Sequence, residues 1–276
     1  MPRSLVLGNG CVLATFDEKL QMRDLYFPFV GMEDHTAYGD VHRIGFFVES
    51  KGFSWISDPD WAVDIRYRFA TLVGESTARS DRLGLSVRVI DYVHPVHNIL
   101  VRRWFLSSTD GSAKTVKVFF HHDLHIYGDK QKDTAFYEPF TNSVIHFRQT
   151  RYFLISAQTD KPVTSPPKRD LGMYQSVLPS KEAVKSGGMS EWSIGKADYH
   201  GLEGTWRDAE DGILSCNPIE QGSVDSTVAV ACKVEPDTET HVTLHLSLGK
   251  TLDDVVALQQ MALHEGDERL ERHTSN

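Results

Sequence analysis

The chain has 276 residues, a formal net charge of −9, 40% hydrophobic residues and 24% charged residues. That apolar content supports a sizeable core and argues against a disordered chain, and the length suits one large β domain or two small domains. The negative balance is the wrong sign for extended phosphate contacts, so no nucleic-acid partner is expected.

From the amino terminus, Leu5-Val6-Leu7 runs at once into the turn signal Gly8-Asn9-Gly10, too short an apolar stretch for a signal peptide. No run approaches the ~20 apolar residues of a membrane helix, so no membrane association is expected and the cytoplasm is the default location. Cys11, Cys216 and Cys232 form no short metal-type pair, and reduced thiols are the expected state, with one disulfide as the alternative.

Most of the remaining chain has period two. Leu83, Leu85, Val87 and Val89 alternate with Gly84, Ser86 and Arg88, and Leu100, Trp104 and Leu106 share a face. Val116, Val118 and Phe120 repeat the pattern, as do Val228, Val230, Cys232 and Val234, then Val242, Leu244, Leu246 and Leu248. Each such segment offers one apolar face as a strand, and many of them between Gly, Asp, Pro and Asn turns predict packed antiparallel sheets. The proline-bearing stretch from Lys161 to Gly188 breaks the rhythm and reads as a surface excursion with a short helix around Ser180 to Lys185. After Thr251 the period changes to that of an amphipathic helix, with Asp253 and Asp254 at its positive end. The expected organisation is a β-sandwich over 1–250 and a C-terminal helix with a charged tail over 251–276.

Four constellations could carry chemistry. The run Asp24 to His35 is rich in aromatics and reads first as a plug closing one end of the core, and second as a loop presenting Glu33, Asp34 and His35 at a rim. In Phe119 to Gly128, alternation would put His121, Asp123 and His125 on one face, about 6.6 Å apart in succession. Such groups suit zinc or iron, but no second cluster has ligand spacing, so no metal and no cofactor is expected. Between Asp129 and Pro139, Asp133, Phe136, Tyr137 and Glu138 interleave acids and aromatics, which suits either sugar rings or ordinary protein contacts. The richest segment, Gly201 to Gly212, holds Trp206 and the acids Glu203, Asp208, Glu210 and Asp211. Paired carboxylates are what glycoside hydrolysis needs, but Asp side chains in such loops commonly satisfy their own backbone amides, and that structural reading is favoured.

These motifs, with the opening Leu5 to Gly10 and Asp24 to Gly31, resemble bacterial and archaeal glucoamylases of glycoside hydrolase family 15. The strongest match is Gly204-Thr205-Trp206-Arg207-Asp208-Ala209-Glu210-Asp211-Gly212, followed by Asn217-Pro218-Ile219 and Gln221 to Ser226. The resemblance implies an all-β fold: a large two-sheet antiparallel supersandwich, like that of galactose-mutarotase-like domains, followed by a linker helix. In that family an (α/α)6 barrel comes next and carries both catalytic glutamates. The sequence stops at Asn276, so the barrel and its glutamates are expected to lie outside it, on a separate chain if they exist.

The expected function is therefore that of a non-catalytic accessory domain or subunit of a glucoamylase-like α-glucoside hydrolase, with an exposed apolar docking face. His35, His121, Asp123, His125, Asp133, Tyr137, Trp206, Asp208 and Asp211 are the candidate rim, docking or sugar-contact residues. Two alternatives stand beside it. One is a stand-alone carbohydrate-binding module, with Trp206, Tyr137 and Phe136 stacking on an α-glucan or glucoside. The other is a mutarotase-like sugar epimerase using a His and a carboxylate.

Overall fold

The computed structural model describes residues 4–36, 41–163, 179–197 and 201–275. Strands form where the period-two pattern lets one face leave water. In β8 (Leu85–Val93), Leu85, Val87 and Val89 are buried while Ser86 and Arg88 are only half covered. In β9 (Ile99–Ser108) both faces are buried: Leu100, Trp104 and Leu106 enter the main core, and Ile99, Val101 and Phe105 a second apolar cluster behind it.

All the pairings between these strands are antiparallel. A nine-stranded sheet runs β15 (Ile219–Gly222), β11 (Asp133–Glu138), β12 (Ser143–Arg148), β13 (Arg151–Thr159), β17 (Thr240–Gly249), β9, β8, β7 (Gly74–Ser80), β6 (Ala62–Tyr67). A five-stranded sheet runs β14 (Glu191–Lys196), β16 (Val224–Val234), β10 (Lys114–Asp123), β4 (Ile44–Val48), β5 (Gly52–Trp55). The opening strands β1 (Leu5–Gly8), β2 (Leu13–Phe16) and β3 (Met22–Tyr26) make a small third sheet.

One continuous core joins all three. Register aligns Val116 with Cys232 and Phe120 with Val228 across β10 and β16, so their apolar rows coincide. Trp104 then meets Phe120 and Phe46 from the facing sheet, ring centroids 6.0 Å apart in each case. Removing such a buried indole costs about 3–5 kcal/mol in typical cores.

The helices follow the change of period. The helix α1 (Lys181–Lys185) begins at Ser180, whose hydroxyl accepts from the Ala183 amide at 3.0 Å. It lies in the expected excursion, of which residues 164–178 fall outside the described part. The helix α2 (Leu252–Glu265) opens with a capping box between Thr251 and Asp254, and the charged tail continues as α3 (Asp267–Ser275). Both cover the outer face of the nine-stranded sheet: Val255 packs with Ile145 and Leu154, and Ala262 and Leu270 with Ile90, Tyr92 and Phe105. No helix among the described residues is long and apolar enough to cross a membrane.

Candidate functional site

The segment from Gly201 to Pro218 folds back over the outer face of the five-stranded sheet. Ala209, Leu214 and Trp206 pack there on Phe119, Ala229 and Trp55. Its anchor is Asp225 on β16. The Asp225 Oδ2 accepts from the Thr205 amide at 2.5 Å and the Thr205 hydroxyl at 2.8 Å, and lies 3.0 Å from His121 Nε2. All three residues are buried. Gly204 is required at this join: it holds φ +113°, and a Cβ there would come within 2.6 Å of Asp225 Oδ2.

Of the remaining carboxylates of the segment, two serve its own backbone and two its own arginine. Asp208 Oδ2 accepts from the Ser215 amide and Asp211 Oδ1 from the Ile213 amide, each at 2.8 Å. Glu203 and Glu210 both pair with Arg207, at 2.5 and 3.2 Å. The Arg207 guanidinium holds the Glu203 carboxyl below its usual range, the opposite of what a proton-donating acid requires.

The aromatic candidates are also engaged. The guanidinium carbons of Arg207 and Arg43 lie over the Trp206 ring, 4.0 and 4.7 Å from its centroid. Tyr137 is buried and stacks on Trp192 at 3.5 Å, and its hydroxyl donates to Asn142 Oδ1. Phe136 meets Phe147 edge to face. A sugar-stacking platform built from Trp206, Tyr137 and Phe136 therefore does not fit this packing.

The histidine row divides. The strand β10 ends at Asp123 and the chain turns through Ile126–Gly128. His121 thus points to Asp225, while Asp123 Oδ1 lies 3.3 Å from His125 Nε2. His35 is buried in the aromatic plug: its Nε2 bonds the Phe27 carbonyl at 2.6 Å and its ring packs on Phe153 at 4.9 Å. Glu33 forms a two-point pair with Arg151, at 2.8 and 2.9 Å, which ties the turn to β13. Asp133 accepts from the Ile126 amide at 2.9 Å, and burial pushes its carboxyl up to about 7. His35, His121, Asp123, His125, Asp133 and Tyr137 are all buried, each withdrawn into packing between elements. Among the described residues, no group of three or more His, Cys, Asp and Glu is placed to hold a metal ion.

No family model matches the sequence. Over 121 residues the chain is 26% identical to an uncharacterized glycosyl hydrolase of Methanocaldococcus jannaschii, a match covering 44% of this chain and 18% of that protein. It superposes on a bacterial glucoamylase solved with acarbose at a TM-score of 0.68 and 11% identity, over 99% of this chain and 36% of the enzyme. A kojibiose phosphorylase from the human microbiome superposes at a TM-score of 0.50 and 9% identity, over 99% of this chain and 34% of that one. The fold is that of a glucoamylase-like β-sandwich. The chain spans about a third of the solved enzymes it matches, and its matched stretch less than a fifth of the archaeal protein.

The glucoamylase-like sandwich also buries polar groups between its strands. Arg102 lies in the apolar row of β9, where it pairs with buried Asp91 at 2.8 and 3.2 Å and donates to the Leu20 carbonyl. His42 and His122 meet edge to face at 5.4 Å, and His146 bonds the Ser226 hydroxyl at 2.7 Å. Burial lowers all three histidines, His146 to about 4. His122 alternates in phase with Val116, Val118 and Phe120, a signal that could have assigned it inward.

Proposed function

We propose that this chain is a non-catalytic sandwich domain that accompanies a glucoamylase-like α-glucoside hydrolase. Its partner is a helical-barrel catalytic domain, carried on a separate chain or elsewhere in a longer polypeptide. The observation that carries this reading is the use made of the segment with the strongest family resemblance. Its carboxylates are spent on Thr205, Ser215, Ile213 and Arg207. An inverting hydrolase needs an acid and a base roughly 6.5–9.5 Å apart across a sugar cleft. The overlap with 36% of a bacterial glucoamylase supports the same view.

The docking side is the turn that follows Phe27. Phe29, Val30 and Met32 are exposed there, Met32 at 83%, on a loop made rigid by the Glu33–Arg151 pair. Clustered exposed apolar side chains on a braced loop suit a protein contact. The test is glucose release from maltooligosaccharides by the chain alone and with a co-expressed helical-barrel domain. Release is expected only with the barrel, and the two should elute together in size-exclusion chromatography. Steady glucose release by the chain alone would end the proposal.

A further inference from the structure

On the outer face of the nine-stranded sheet, a cavity of about 280 Å³ opens between β13, α1 and α2. Its floor is polar where a covered sheet face is normally apolar. Ser156 of β13 stands directly opposite His245 of β17, and both line the cavity. Ser156 is 5% exposed and His245 fully buried, yet Ser156 Oγ and His245 Nδ1 have no hydrogen-bond partner among the described residues. Buried polar groups are normally paired, and leaving them unpaired is destabilising, so two on neighbouring strands under one opening need a reason.

The imidazole is held in place from behind. His245 Nε2 lies 3.0 Å from Asp267 Oδ1, and the other oxygen of Asp267 accepts from the Thr243 hydroxyl at 2.5 Å. In the neutral ring, Nε2–H donates to Asp267 and Nδ1 presents a lone pair. Ser156 can donate or accept beside it. Thr141, Gln158, Ser186 and Gln259 also line the walls; the Thr141 hydroxyl donates to Glu138, the Ser186 hydroxyl to the Ala183 carbonyl and the Gln259 carboxamide to the Thr141 carbonyl. None of the described lining residues is Asp, Glu, Lys or Arg. At the mouth, the Phe140 side chain is 98% exposed.

This lining selects chemistry. Hydroxyls, carboxamides and one oriented imidazole, with no carboxylate, lysine or arginine among the described lining, suit a ligand with several hydroxyl groups. The volume lies just under the roughly 300–1,000 Å³ of drug-sized sites, room for one ring and not for a chain. We propose that this cavity binds a neutral sugar or cyclic polyol of monosaccharide size, through Ser156 and His245, with Phe140 against the apolar face of the ring. This goes beyond the accessory role and stands without it, since the cavity is distinct from the Phe29–Met32 turn.

Saturation-transfer NMR on the full chain with D-glucose, D-galactose and maltotriose tests it. Transfer to at least one monosaccharide, or to a single terminal ring of maltotriose, is expected. Phe140→Ala and Ser156→Ala should each weaken that signal at least five-fold. Because Ser156 Oγ bonds no described protein group, Ser156→Ala should melt no lower than the parent chain. Phe140 is exposed, so its variant reports on binding whatever happens to the other. No transfer to any of the three sugars overturns the proposal, and so does transfer that both variants leave unchanged.

Discussion

His121 Nε2 lies 3.0 Å from Asp225 Oδ2, with both side chains sealed from solvent between the five-stranded sheet and the segment that crosses it. The same oxygen accepts two bonds from Thr205, so one carboxylate fastens a surface segment to the sheet. Asp225→Ala would orphan the Thr205 amide and one histidine nitrogen in a buried place. A loss of about 3 kcal/mol is expected in urea unfolding. Asp208→Ala removes one bond at a half-exposed site and should cost about 1 kcal/mol. Equal stability of the two variants would contradict the anchoring role of Asp225.

Acid should weaken the fold through its buried histidines. His146 on β12 sits against Ser226 and near Asp225, and its pKa falls from 6.5 to about 4 on folding. The unfolded chain therefore binds a proton below pH 6.5 that the folded chain refuses until about pH 4. This stability is fully present above pH 6.5 and is lost as pH falls toward 4, by about 3 kcal/mol for His146. His42 and His122 are lowered in the same direction, with Arg102 adding to the effect at His122. Urea midpoints measured from pH 7.5 to 4.5 should fall steadily, and less steeply in His146→Gln. A flat profile would rule this out.

The turn at Phe29 to Met32 should govern association and not folding. Phe29→Asp with Met32→Asp places charge on two exposed side chains away from the main core. Co-elution with a helical-barrel partner should be lost, while the melting temperature stays within ~2 °C, as expected of surface substitutions. Retained co-elution would move the docking face elsewhere.

The capping box of α2 gives a local prediction. Thr251 Oγ1 accepts from the Asp254 amide at 3.2 Å, and Asp254 Oδ2 accepts from the Thr251 amide at 3.0 Å. Thr251→Ala should cost about 1 kcal/mol. Hydrogen exchange should quicken at the first turn of α2 and leave β17 protected.

Much of this molecule could be read from one dimension. Alternation in 85–89, 100–106, 116–120 and 242–248 marks strands because side-chain direction on a strand is a local property. Thr251 and Asp254 mark a helix start because their partners lie within one turn. The amide-binding role of Asp208 and Asp211 was legible for the same reason, with partners seven and two residues away.

What only the tertiary structure decided is which polar residues go inside. Asp225 lies 104 residues from His121, and His146 lies 80 from Ser226. Neither pair has a local signature: His121 and Asp225 meet only when β10 pairs with β16, and His146 and Ser226 only when the two sheets are brought face to face. The same holds for Ser156 and His245, neighbours only once β13 pairs with β17. Local pattern sets where each strand runs and which side it turns inward; burial of a charge or a hydroxyl depends on what covers that side, and the cover comes from distant chain.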